Sequence, residues 1–190
     1  MGFVLNSILL GVGLSMDAFS VSVANGLAEP SMRARKRLLI AGTFAFFQAL
    51  MPMIGYFCVH TLVEAFSVLD RAVPYVALAL LGYIGIKMII SGARRKPGDE
   101  KPALTGGALL TQGIATSIDA LSVGLTMADY SYLSAFASAL IIAAVTFGIC
   151  IFGVIFGAKI GERISGKAEI LGGAILVFIG LEIFIKAMIK

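Results

Sequence analysis

The sequence predicts an all-α integral membrane protein of six transmembrane helices, built as two inverted three-helix repeats. Three observations predict it: an apolar composition, six apolar stretches of membrane-crossing length, and a motif that returns in the second half. Of the 190 residues, 59% are hydrophobic and 14% charged, and the mean hydropathy is +0.99. Soluble domains run about 45–50% apolar and about 25% charged. A water-soluble fold of this size would have to hide more apolar surface than its core could hold, so lipid is the simpler solvent. A helix crossing about 30 Å of hydrocarbon uses about 20 residues. The chain therefore has room for six spans and no separate soluble domain.

The apolar stretches are Phe3–Gly26, Leu38–His60, Val73–Ser91, Leu104–Met127, Leu133–Gly157 and Ile170–Ile189. The first lacks the basic leader of a signal peptide and carries Asp17 in its interior, so it reads as a span. Basic residues sort by loop. Arg33, Arg35, Lys36 and Arg37 fall in the first loop, Arg94, Arg95, Lys96 and Lys101 in the third, and Lys159, Arg163 and Lys167 in the fifth. The other side holds only Arg71, Lys186 and Lys190. By the positive-inside rule both termini lie outside the cytoplasm. The same sorting removes the nucleic-acid reading that a net charge of +4 invites.

The third loop, with Pro97, Gly98 and Pro102, divides the chain into a first repeat (1–91), a linker (92–103) and a second repeat (104–190). GVGLSMDAFSVSV (Gly11–Val23) aligns with GIATSIDALSVGL (Gly113–Leu125), matching Gly, Ser, Asp, Ala, Ser and Val. A weaker echo joins LLGYIGIKMII (Leu80–Ile90) to ILVFIGLEIFI (Ile175–Ile185). With three helices per half, the second copy is upside down, a plan that puts the site near the midplane at the repeat interface.

Asp17 and Asp119 are the sharpest signal. An intramembrane carboxylate costs on the order of 2.5–3.5 kcal/mol even on lenient insertion scales, and here it occurs twice in the frame Ser-X-Asp-Ala-X-Ser-Val. At helical spacing, Ser20 accompanies Asp17, and Thr116 and Ser122 accompany Asp119. Ser15 and Ser117 are two residues away and point elsewhere on a regular helix, where a helix–helix hydrogen bond is their simpler use. Two carboxylates, hydroxyls and carbonyls form a hard oxygen site that suits Mg, Ca or Mn. Two neighbouring carboxylates do not both ionise when empty, so a proton can replace the metal. If the spans are straight, the two carboxylates differ in depth by roughly 8–10 Å, and sharing an ion then requires tilt, a helix break or a water.

Gln48 stands one turn before Pro52, which frees a backbone carbonyl near it, so it is a candidate ligand or gate, or part of a structural kink. Glu182 is a candidate proton relay. Lys87 snorkels to the interface. Cys58, Cys150 and His60 lie apart in apolar runs, without the spacing of a disulfide or zinc site.

SMDAFSVSVANG (Ser15–Gly26), ATSIDALSVG (Ala115–Gly124), QALMPMIGY (Gln48–Tyr56) and AEILGGAILVFIG (Ala168–Gly180) together resemble the MntP-type manganese efflux pumps over essentially the whole chain. The resemblance implies a six-helix inner-membrane exporter of Mn2+, with no cofactor and with Asp17 and Asp119 as the key acidic residues. Some relatives carry an acidic residue where Gln48 stands. The rivals within transporters are an exporter of another cation and an exporter of a small amino acid, the cargo of related six-helix, LysE-like transporters. An intramembrane aspartyl protease is the rival from another class, but its Gly-X-Gly-Asp motif is missing before both carboxylates.

Overall fold

A computed structural model describes residues 2–61, 75, 78–79, 81–87, 89–90, 93, 104–127, 130–163 and 168–189. The described elements are all helical: α1 (Gly2–Ala28), α2 (Ala34–Thr61), α3 (Gly106–Thr116), α4 (Ile118–Thr126), α5 (Tyr132–Arg163) and α6 (Ala168–Ile189). Residues 81–87, inside the expected third span, are helical as well. Seven residues of that span lie outside the described residues, as do Arg71, Lys167, Lys190 and the basic residues of the third loop.

Among the described residues, three helices are long and apolar enough to cross a membrane: Gly2–Ala28, Ala34–Cys58 and Tyr132–Gly161. Their outward faces are apolar, with Leu133 75% and Phe152 62% exposed, while Ser7, Ser15, Asn25, Gln48, Gln112 and Thr146 are buried. A protein built for water would reverse that order, whereas lipid rewards it.

Helix ends follow local chemistry. Beyond α1 one more backbone bond forms, from the Glu29 N–H to the Asn25 carbonyl, and Pro30 then stops the helix. The Thr105 hydroxyl caps α3 by accepting the Ala108 N–H, and the Ser131 hydroxyl does the same for the Ser134 N–H before α5.

Two basic groups sit differently from expectation. Arg35, Lys36 and Arg37 belong to the first turn of α2, and Lys159 and Arg163 to the last turns of α5, not to loops. Cations at a helix N-terminus oppose the dipole by about 0.3–1 kcal/mol each, so propensity does not explain Arg35–Arg37. Lys36 is instead held by an ion pair with Glu29 across the α1–α2 turn.

Glycine contacts set the helix directions. Gly11 faces Ile142 and Val145, Gly153 faces Phe19 and Ser22, Gly157 faces Val23, and Gly161 faces Leu27. The numbers rise together, so α1 and α5 run parallel. A β-carbon on Gly157 would lie 2.2 Å from the Val23 carbonyl oxygen, so only glycine lets these backbones touch. Parallel contact also joins α2 to α3 and α4: Gly113 faces Thr43 and Phe47, while Gly124 faces Pro52 and Tyr56. In contrast, α1 runs antiparallel to α3–α4. Ala18, Val21 and Ala24 share one buried cluster with Leu109 and Ala115, and Leu10 and Leu14 share another with Ala120, Val123 and Met127. The remaining helix, α6, packs on α1, and its Gly173 meets Gly85.

Candidate functional site

The fourth apolar stretch, expected as one span, is two helices with a break at Ser117. That residue has φ −113° and ψ 9°, and its N–H bonds the Ile114 carbonyl at 3.2 Å, three residues back. Two adjacent hydroxyls account for the break. Thr116 Oγ1 donates to the Gln112 carbonyl (2.9 Å) and Ser117 Oγ to the Gly113 carbonyl (2.7 Å), covering carbonyls at the end of α3. Such back-bonding bends helices. At the matching place α1 has Leu14-Ser15, with one hydroxyl, which bonds the Val12 carbonyl (3.0 Å) while the helix continues. Both serines thus bond within their own helix region, which replaces the helix–helix bonds expected for them.

The break puts Asp119 in the first turn of α4. The positive end of the helix dipole favours a carboxylate there, and Asp119 Oδ1 accepts the Ala120 N–H at 2.8 Å. Asp119 is exposed and Asp17 is half-buried. Ser20 is half-buried and its hydroxyl donates to the Met16 carbonyl (3.0 Å). Thr116 is buried and Ser122 half-buried.

A contact that sequence reasoning missed joins the two Asp-bearing stretches. Asn25 Nδ2 donates to Gln112 Oε1 at 2.8 Å, and Gln112 Nε2 returns a bond to Asn25 Oδ1 at 3.3 Å, both side chains being buried. Each bond contributes about 0.5–1.5 kcal/mol net, and leaving either amide buried without a partner would cost more. The pair sets the register of two antiparallel helices. From it, Asp17 is eight residues away along α1 and Asp119 seven along α3–α4, roughly 12 and 10.5 Å at the helical rise. The two carboxylates thus lie on the same side of the amide pair, at similar distances along their chains. An amide inside each apolar helix was the available signal. Repeat alignment concealed it, because the positions matching Asn25 and Gln112 are Met127 and Leu10.

Gln48 is buried on α2, and its Nε2 donates to the carbonyl of Leu14, one turn before Asp17. Its Oε1 is buried with no partner, as is Thr146 Oγ1 on α5. An unmet buried acceptor costs about 1–3 kcal/mol, and a bound cation or a proton donor relieves that cost. Glu182 is half-buried on α6, Lys87 is exposed, and both cysteines are free thiols. Among the described residues no three His, Cys, Asp or Glu side chains converge, so an ion held here draws on carboxylates supplemented by neutral oxygens.

A family model described as "Putative manganese efflux pump" matches residues 31–184. A Clostridium botulinum (strain Loch Maree / Type A3) protein named as a manganese efflux pump is 39% identical over 190 residues, covering 94% of this chain and 92% of its own. A Clostridium perfringens (strain SM101 / Type A) protein of the same name is 35% identical over 205 residues (96% and 94% covered). One from Gloeothece citriformis is 38% identical over 186 residues (96% and 95% covered). No solved structure matches.

Proposed function

This chain belongs to the manganese efflux pump family, and from that premise we propose that it exports Mn2+ from the cytoplasm through a site built on Asp17 and Asp119. The family is one of transporters, not enzymes, and Mn2+ is cargo, not a cofactor. The observation that supports the site is the Asn25–Gln112 pair, from which Asp17 is eight residues away along α1 and Asp119 seven along α3–α4. Their two negative charges balance one divalent cation where imbalance is expensive.

Gln48 Oε1 is the neutral ligand in this reading, since it is a buried oxygen without a partner one turn from Asp17. Hydroxyls of Ser20, Thr116 and Ser122 border the site. The exposure of Asp119 fits a wet access path, because a carboxylate facing hydrocarbon would cost several kcal/mol. With no ATP-binding motif in the sequence, export is secondary. A proton replaces the metal on the carboxylate pair, and Glu182 relays it. The frame is six spans in two inverted repeats, in the inner membrane, with both termini outside. Parallel packing of α1 on α5 and of α2 on α3–α4 supports it, because inversion exchanges these two contacts.

Purified protein in proteoliposomes tests the reading, with Mn2+, Fe2+ and Zn2+ offered separately under an imposed pH gradient. Mn2+ flux accelerated by protons on the trans side is the expected result. Flux of another ion or of a small amino acid in place of Mn2+, or flux indifferent to the gradient, counts against it.

A further inference from the structure

The Asn25–Gln112 pair joins α1 to α3 at the end of the bundle that carries Arg35, Lys36 and Arg37 at the start of α2. At the other end the packing between α1 and α4 is mediated by apolar side chains: Leu10, Leu14, Val123 and Met127 belong to one cluster with Met51, Met53 and Tyr56 of α2. Separating that apolar end exposes hydrocarbon to water and has no compensation. Separating the amides has one. Each amide carries two donors and an oxygen with two lone pairs, so water or a cation can replace the bonds given up. One end of the helix pair is thus built to stay shut and the other to exchange partners.

We propose that the Asn25–Gln112 amide bridge is the cytoplasmic gate of the ion path. It is closed in this structure, sealing the path about 10–12 Å inward of the carboxylates. On opening, Asn25 Oδ1 and Gln112 Oε1 turn to the entering ion. They are neutral hard-oxygen ligands for a divalent cation that has yet to reach Asp17 and Asp119. Neutral ligands suit a transit point, since a charged ligand would hold the ion short of its site. The proposal rests on the cation-path and orientation readings above, and its test uses a readout independent of manganese.

A reporter thiol at Ser20→Cys lies between the gate and Asp17. It is placed in a Cys58→Ser background, Cys150 being fully buried. Inside-out vesicles are treated with a membrane-impermeant thiol reagent. Asn25→Ala or Gln112→Ala should raise the labelling rate at least tenfold. The exchanged pair, Asn25→Gln with Gln112→Asn, should return it to within about threefold of the parent. The double variant Asn25→Leu/Gln112→Leu should lower it below the parent and slow Mn2+ efflux. If an alanine variant fails to insert, Asn25→Ser and Gln112→Ser keep polarity, shorten the reach, and should raise labelling in the same way. Equal labelling in parent and opened variants, with only a fall in melting temperature, would show a structural bolt and overturn the proposal. A rise seen only from the external face would overturn it too. The expected labelling pattern without Mn2+ flux would fault the choice of ion and leave the gate standing.

Discussion

Gly55 and Gly124 bring α2 and α4 together backbone to backbone. A β-carbon on Gly124 would lie 2.2 Å from the Pro52 carbonyl oxygen and 2.8 Å from the Gly55 α-carbon. One on Gly55 would lie 2.2 Å from the Leu121 carbonyl oxygen. This contact anchors the short helix whose first turn carries Asp119, so the carboxylate's position depends on a glycine five residues away.

Gly124→Ala should force the two helices apart. Overpacking of this kind costs about 1–3 kcal/mol, and here the obstacle is backbone, which cannot rotate away. Thermal unfolding in detergent should show a lower melting temperature, and Mn2+ efflux should fall at least tenfold. Gly148→Ala on α5 meets open space and should hold or raise stability by up to about 1 kcal/mol, alanine being the better helix former. Equal melting temperatures for the two variants would show that the close approach is not needed.

The break at Ser117 depends on hydroxyls covering carbonyls at the end of α3. Ser117→Ala combined with Thr116→Val removes both and should let the fourth apolar stretch run on as one helix, turning Asp119 out of its first-turn position. Efflux should drop about tenfold or more at normal membrane levels. Ser15→Ala, in a helix that is already continuous, should change efflux less than twofold. Comparable losses for the two would mean that the break has no part in transport.

Gln48 separates stability from function. Gln48→Leu removes a buried unpartnered oxygen together with one hydrogen bond to Leu14, and these changes nearly offset, so unfolding should shift by less than about 1 kcal/mol. Mn2+ affinity should still fall about fivefold, because a ligand is gone. A titration of efflux rate against internal Mn2+ would reveal this as a raised half-saturation. An unchanged half-saturation would remove Gln48 from the site.

Periodicity and apolar length made the helices legible, because lipid demands long uninterrupted runs and the residues supply them. The paired Asp motifs were equally visible, since a carboxylate inside such a run is conspicuous. What the sequence hid was relational. Nothing local in Thr116-Ser117 says that two hydroxyls will break a helix that one hydroxyl leaves intact in α1. Nor could the pairing of α1 with α3 be read, because it is made by Asn25 and Gln112 in different halves. The extension of α5 through Lys159 to Arg163 was missed for a simpler reason. The apolar run ends at Gly157, while the helix continues to Arg163.

Transport as proposed stands or falls on Asp17 and Asp119 holding the exported cation together. Asp17→Asn and Asp119→Asn keep size and polarity but remove one of two balancing charges, and placing Mn2+ in such a site costs several kcal/mol. Each kcal/mol is about a fivefold loss in affinity at room temperature. The deciding measurement is Mn2+ export from proteoliposomes containing equal amounts of each variant, with the exposed Arg35→Gln as control. Both Asn variants should fall near the protein-free background while Arg35→Gln exports normally. Full export by either Asn variant, at normal insertion, would show that its carboxylate is structural and contradict the paired site.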